Sequence, residues 1–548
     1  MKQSHSVHAY IYHQKKILIG VETTVHLAAN VRGIRMNLVQ SGRHDTDIQL
    51  FETLVENITY LKSELGNSKD LVVREILIGQ EPQREAAIIY FEGLANKQLI
   101  NDFMSALMLH ARDAQIISED TPHSDLIPFL QKTVIPVGDV HNIQDFKRLF
   151  PAILSGDTAF LIDGYTHGFL IGTKGWEDRG VQESSVQTVV RGPRDAFSET
   201  LITNTALIRR RIKDPRLWLD MKEIGKVTKT NVAIMYIKQI VDEQVVEEVH
   251  RRLNQIDIDG ILESGNIEEL IRDQRFCLFP TIFNTERPDT VAANLLEGRV
   301  AVLVDGTPVA LLMPAVFTQF MQSAEDYYEV TDMGLLRILR YISLFIALLA
   351  PASFIAVTTF HQEMFPTTLM VSIAAQREGI PFPAAVEAFI MEITFEILRE
   401  AGIRMPRAIG SAISIVGALV LGEAAVQAGL ISPAMVIVVS ITAITSFVFP
   451  VFAMSIPIRL LRFTLMALAA GFGLYGIFVG MIAILLYLCS LRSFGVPYMS
   501  PVAPIILREQ KDTLIRAPIW AMRTRPRLAN QTNLVRQQNQ SQQKKGDE

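Results

Sequence analysis

Residues 381–450 read PFPAAVEAFIMEITFEILREAGIRMPRAIGSAISIVGALVLGEAAVQAGLISPAMVIVVSITAITSFVFP, and this stretch decides the architecture. Its first part predicts an acidic amphipathic helix and its second an almost uncharged run of membrane length, with Arg404, Pro406 and Arg407 between them. Upstream, residues 1 to about 330 carry ordinary soluble-protein charge, whereas about 335–490 hold few charges and long apolar runs. The contrast predicts a soluble region followed by a membrane region.

The spans follow from length, since a bilayer needs ~20 apolar residues in succession. They are expected at about 341–360, 408–428, 433–452 and 463–490, the first entered after Arg337 and Arg340. Those arginines hold the soluble region in the cytoplasm by the positive-inside rule. The segment 361–383, with three prolines, suits a loop or re-entrant piece. In 384–400 an acidic stripe of Glu392, Glu396 and Glu400 recurs every four residues, with Glu387 off the stripe. Four carboxylates are too costly to face lipid, so they are expected to face water, a cavity or another subunit, on an amphipathic or re-entrant helix. Four full spans place the basic tail with the N-terminal domain. Counting the acidic helix makes five and sends the tail outside. Four is preferred, although it leaves Arg404, Arg407, Arg459 and Arg462 on the unfavoured side.

Within 408–428, Glu423 is the one carboxylate, readable as part of an ion pathway or as a group snorkelling from a helix end. Ser411, Ser414, Gly417, Ala418 and Gly422 make this span small and weakly polar, fit for tight packing or for lining a narrow pore. Ile415, Val416 and Leu419 are the candidate hydrophobic gate. Gly476 and Gly480 form a GxxxG pair that permits close helix approach.

The soluble region repeats itself. AIIYFEGLANKQLI from Ala87 matches AIMYIKQIVDEQVV from Ala233, and ILSGDTAFLIDGYTHGFLI from Ile153 matches LLEGRVAVLVDGTPVALLM from Leu295. Gly156, Leu161, Asp163 and Gly164 thereby pair with Gly298, Leu303, Asp305 and Gly306. Each Asp-Gly between β-rich runs is a hairpin-turn signature, and turn chemistry is favoured over a ligand or catalytic role. The fold class is accordingly a cytoplasmic α/β N-terminal domain of two repeated lobes, then an α-helical multi-span membrane domain. The domains are an extension (1–46), lobe one (47–200), lobe two (201–330), a membrane domain (335–492) and a basic, partly disordered tail (493–548). Within the lobes, the repeated cores at about 47–180 and 215–315 are joined by the basic segment RGPRDAFSETLITNTALIRRRIKDP. Its Arg209, Arg210, Arg211 and Lys213 read as an anion or lipid-headgroup site, or at least as readily as a solvated or subunit-facing helix end.

Other classes are poorly supported. A net charge of −5 over 548 residues gives no footing for nucleic acid, and two cysteines, Cys277 and Cys489, make neither a disulfide framework nor a thiolate metal site. No P-loop, GxGxxG, HExxH or nucleophile elbow is present, so no enzyme, metal or cofactor is expected.

The chain resembles the A subunits of the GerA-type spore germinant receptors over roughly Leu65–Pro504. The resemblance is carried by PFPAAVEAFIMEITFEILREAGIRMPR, IVGALVLG, SPAMVIVV and SFGVPYMSP. In the soluble region it rests on RGPRDAF, LIRRRIKDP, FNTERPDTVAANLLEGRVAVLVDGTP and SAEDYYEV. It implies a nutrient-sensing complex of the spore inner membrane with a permease-like B subunit and a C-subunit lipoprotein. It also implies a homo-oligomeric ring, thought to be a pentamer, whose helices form a nutrient-gated ion channel. The alternatives are a non-conducting scaffold subunit, or the related membrane protein associated with dipicolinate release.

Overall fold

The computed structural model describes residues 48–78, 84–113, 139–175, 187, 189, 191–327, 333–404, 422–507, 509–514, 516–518, 522–526, 533, 535 and 536. The chain divides into two compact units. One comprises Met1–Gln182, Ala196–Gln239 and Val302–Pro308, and the other Glu183–Asp195, Ile240–Ala301 and Val309–Glu548.

The elements of the first sheet are α1 (Leu54–Glu64), β1 (Leu71–Ile78), β2 (Arg84–Phe91), α2 (Lys97–Asp113), β3 (Val140–Ile143), α3 (Phe146–Ile153), β4 (Thr158–Ile162) and β5 (Gly168–Ile171). The strands run antiparallel in the order β1-β2-β4-β5-β3. Central strand β2 shows why the sheet is covered on both faces. Ala87, Ile89 and Phe91 join Leu54, Ile58 and Leu61 of α1 and Phe146, Leu149 and Ile153 of α3 in one core. The alternate residues Ala86, Ile88 and Tyr90 join Ile100, Phe103 and Leu107 of α2 in another. Strand period two thus feeds two helical layers.

The second set is α4 (Leu201–Arg211), β6 (Leu217–Ile224), β7 (Thr230–Ile237), α5 (Glu243–Asn254), α6 (Ser264–Ile271), β8 (Phe283–Thr285), α7 (Pro288–Leu296), β9 (Val300–Val304) and β10 (Ala310–Met313). Its sheet order, β6-β7-β9-β10-β8, is that of the first sheet element for element. The repeat reaches further than the sequence reading took it. The second half of the basic joining segment is α4, the counterpart of α1 and an integral layer rather than a connector. Asn57 exchanges hydrogen bonds with the Phe51 backbone just as Asn204 does with the Ser198 backbone.

The helical elements are α8 (Met333–Thr359), α9 (Thr367–Arg377), α10 (Ala384–Arg404), α11 (Pro433–Ser446) and α12 (Phe452–Ser490). Among the described residues, two helices have the length and apolarity to cross a membrane, Gly334–Thr359 and Phe452–Ser490. The second departs from the single run expected at 463–490. Gly473 adopts φ 60°, ψ −141° and turns the chain back on itself. A straight helix would hold residues 465 and 480 about 22 Å apart. Instead, a Cβ on Gly480 would lie 2.5 Å from Leu465 Cδ2, and one on Gly476 would lie 2.3 Å from Leu468 O. α12 is therefore an antiparallel hairpin, and the GxxxG pair lets its second leg close onto its first. Gly473 is required twice over: its φ favours glycine, and a Cβ there would come within 3.0 Å of Phe360 Cβ and 2.9 Å of His361 Cε1.

Candidate functional site

Asp163 and Asp305 occupy equivalent β-turns and do equivalent work. Asp163 Oδ1 accepts from Leu54 N at 2.8 Å, and Asp305 Oδ1 accepts from Leu201 N at 3.1 Å. The residues preceding those helices, Thr53 and Thr200, make no capping bond of their own. A carboxylate more than a hundred residues away thus satisfies an orphan donor at the N-terminus of α1 or α4. Gly164 N donates to Glu52 O and Gly306 N to Glu199 O, completing the turns. These aspartates are occupied in capping, which accords with turn chemistry.

The arginine cluster is equally internal. Arg209 is fully buried, holds Asp70 through Nε and Nη2, donates from Nη1 to Leu217 O at 3.1 Å, and stands over the Phe91 ring at 4.4 Å. Anion binding by the cluster as a whole therefore loses its first member. Beside it, Trp218 packs across Gly66, whose φ of +64° ends α1.

The helical region places its charges inward. Glu392 and Arg462, 0% and 1% exposed, pair at 2.5 Å between α10 and the first leg of α12. Glu396 is held by Arg399 and, at 2.9 Å, by Arg459. Glu387, also buried, accepts from Arg377 Nε at 3.3 Å and from Ser432 N at 3.0 Å. Only Glu400 is exposed, paired with Arg404 at 2.6 Å. The expectation that these four carboxylates face water, a cavity or another subunit is corrected for Glu387 and Glu392, which are buried against cations of their own chain; Glu396 is also paired but remains part-exposed. The physical reason is the same cost that motivated the expectation, answered by an ion pair instead of by water. The signal was in the sequence: Arg459 and Arg462, which looked misplaced, are the partners.

Glu423 is exposed on a short helix at 422–427, where its Oε1 accepts from Gln427 Nε2 at 3.2 Å. Ser411, Ser414, Ile415, Val416 and Leu419 lie outside the described residues. Among the described residues no group of three or more His, Cys, Asp or Glu side chains is placed to hold a metal ion.

A second buried ionic cluster stands at the start of α8 and escaped the sequence reading. Asp326 binds Arg337 at 2.8 Å and Arg340 at 3.0 Å, all three nearly inaccessible. Arg337 also binds Asp512 at 2.9 Å, from the segment that follows α12. That C-terminal segment is further sewn to the second sheet's flank. Ser493 Oγ donates to Thr281 O and accepts from Ala315 N, and Phe317 N donates to Tyr498 O. Burial pushes the Tyr498 phenol well above its ordinary pKa. Leu278 N donates to Tyr487 Oη at 3.0 Å near the end of the second α12 leg.

Two clefts open at this level. One, of about 550 Å³, is lined by Glu263, Ser264, Gly265, Arg399, Phe447 and Phe452 among others. Its neighbour, about 360 Å³, has Arg287, Gln319, Arg340, Phe449 and Val451 in its walls. Both mix carboxylate, amide, guanidinium and aromatic groups, a lining suited to a small amphiphilic or zwitterionic molecule.

The profile of the Bacillus/Clostridium GerA spore germination protein family matches residues 59–528. Spore germination protein KA of Bacillus subtilis (strain 168) is 50% identical over 486 residues, covering 88% of each chain. An uncharacterized membrane protein of the same organism, YfkQ, is 42% identical over 499 residues, covering 91% of this chain and 95% of its own. A solved structure, the N-terminal domain of the A subunit of the Bacillus megaterium spore germinant receptor GerK3, shares 39% identity. It covers 50% of this chain and 98% of its own, with a TM-score of 0.40.

Proposed function

The chain belongs to the GerA family of spore germination proteins, and on that premise we propose that it is a membrane subunit of a spore nutrient receptor whose oligomer forms a gated cation pathway in the spore inner membrane. The observation that carries the membrane reading is the α12 hairpin: two apolar legs return to the level at which α8 begins. Tyr498, just past α12, packs its ring 6.3 Å from that of Phe320, and the next residue, Met321, accepts from Arg340 of α8 at 3.2 Å, which supports placing the entry to α8 and the exit from α12 together. This arrangement supports an even number of crossings. The cleft lined by Arg399, Phe447 and Phe452 brings the end of α10, the end of α11 and the start of α12 to that same level. Glu387 and Ser432 join the other ends of α10 and α11.

The count this supports is six passages: α8, α10, the expected span 408–428, α11 and the two legs of α12. It differs from both four and five. The acidic helix becomes a full passage, and the last run becomes two. Arg404 and Arg492 then stand with Arg337 on the cytoplasmic side, which removes the objection that the arginines lay on the unfavoured side.

Because Glu392 and Glu396 are neutralised, the cation pathway is assigned to 408–428, with Val416 at the gate and Glu423 at its mouth. The oligomeric ring, the permease-like B subunit and the C-subunit lipoprotein enter this reading through the family resemblance. The test is monovalent-cation release from non-growing cells co-expressing the chain with its partners, before and after nutrient. Release that changes with Val416→Ala and falls with Glu423→Gln, at unchanged protein level, is the expected result. Full assembly with no release in any variant would leave the non-conducting scaffold as the function.

A further inference from the structure

Helix α6 and the segment after it lie across the near ends of both α12 legs. At one end, Glu263, Ser264 and Gly265 share a cleft wall with Phe452, Ser455 and Ile456 at the base of the first leg. At the other, Leu278 N is bound to Tyr487 Oη at 3.0 Å, and the Phe279 ring stands 6.3 Å from that of Tyr487. Asp273 accepts from Phe494 N at 2.9 Å, and Arg252 stands over the Phe494 ring at 4.2 Å. This edge is therefore fixed at the depth where the apolar legs stop.

Phe276 projects from it and is 94% exposed, the largest fraction among the exposed large apolar side chains of the described residues; Leu262, at the other end, is 80% exposed. Leu486, in the last turns of the second leg, is 68% exposed, and its neighbour Tyr487 holds Leu278 and Phe279, so the exposed apolar surface of the leg reaches the turns that meet this segment. Arg275 precedes Phe276 in the chain and Arg492 follows the last residue of the leg; both are exposed. An exposed aromatic ring and exposed arginines on the segments that meet the end of an apolar helix have the composition of a membrane–water boundary, where rings occupy the headgroup level and arginine donates to phosphate. Continuity with the leg argues for lipid as the occupant.

We propose that the Arg272–Phe279 segment is a lipid-contact surface: Phe276 enters the headgroup and upper acyl region, and Arg275 and Arg492 bind phospholipid phosphate. The second sheet's α6 edge is then seated on the bilayer and moves with the hairpin. This rests on the membrane reading above, and the experiment separates the two.

The full-length chain carrying Cys277→Ser and Cys489→Ser receives one cysteine, by Phe276→Cys or Leu486→Cys, for an environment-sensitive fluorophore. It is reconstituted in vesicles of phosphatidylethanolamine and phosphatidylglycerol. Both labels are expected to emit blue-shifted light and to be quenched severalfold more by nitroxide lipids than by aqueous iodide, the label at 276 most by a shallow nitroxide. Iodide quenching at 276 with lipid quenching at 486 overturns the surface and leaves the membrane reading standing. Shielding of 276 from both quenchers makes it a contact between protein chains and likewise overturns the proposal. Iodide quenching at both positions overturns the membrane reading and the surface with it.

Discussion

The carboxylates of the two repeated sheets and those of the helical region solve different problems. Asp163 and Asp305 stand at water-accessible turns and spend their charge on a backbone N–H, the orphan donor at a helix start. Glu392 and Asp326 lie in near-complete burial and are met by arginine cations, Glu392 through one bond from Arg462 Nη1 and Asp326 through Arg337 and Arg340. Where water is near, a carboxylate adds a modest cap; where it is excluded, only an opposite charge compensates the lost hydration. The same residue type is thus a small refinement in one region and an obligation in the other.

The sharpest way to break that contrast is to remove one partner of a buried pair. Glu392→Ala leaves Arg462 uncompensated and is expected to cost about 3–5 kcal/mol, as for other buried pairs broken on one side. Asp326→Ala strands Arg340 and leaves Arg337 with Asp512 as its one remaining carboxylate, and belongs at the upper end of the scale. Thermal unfolding of the detergent-solubilised full chain measures both, with protein level in the membrane as a second readout. The double replacement Glu392→Leu with Arg462→Met should recover most of the loss, because an apolar pair of similar volume needs no compensation. A loss below about 1 kcal/mol for Glu392→Ala would match a solvated surface pair and would end the distinction.

How much of this was legible in the sequence follows the same line. The β-rich halves of the repeat were readable because strand, turn and helix patterning are local, and the Asp-Gly turns announced themselves. The equivalence of α1 and α4 was not, since Leu201–Arg211 lacks a strong apolar period and its three arginines look like a solvated tip. Burial of Arg209 depends on Asp70, 139 residues away, which no local pattern reveals. In the helical region both charges of each pair were seen, but their pairing across 63–70 residues was not. The hairpin hid for a related reason: Gly473 is one of four glycines in an apolar run, and only contact between its flanks shows which one turns the chain.

A smaller test bears on the equivalence of the sheets. Asp163→Ala and Asp305→Ala should each lower stability by about 1 kcal/mol, the usual loss of a side-chain cap. Their effects should be close to one another, and the corresponding Asn variants should retain most of the cap. Thermal midpoints of the full chain measure the series. A large loss at one site with none at the other would mean that the two turns, alike in geometry, are not alike in what they support.

The smallest effect is expected at a part-exposed cluster on the surface and completes the gradient from buried to solvated charge. Glu248 on α5 is bound by Arg251 at 2.5 Å and Arg252 at 2.7 Å, and these hydrogen bonds, Arg251 foremost, hold its pKa down at about 2 from an ordinary 4.5. Because the folded value is the lower one, the contribution is present above about pH 4.5 and is lost as pH falls towards about 2. The difference in thermal midpoint between the parent chain and Glu248→Gln should therefore be constant from neutral pH down to that window and then shrink. Solvent screening keeps the difference small throughout. A difference that persists unchanged at the acid end would show that Glu248 acts through packing of its stem, in which case charge compensation would not be the variable separating these regions.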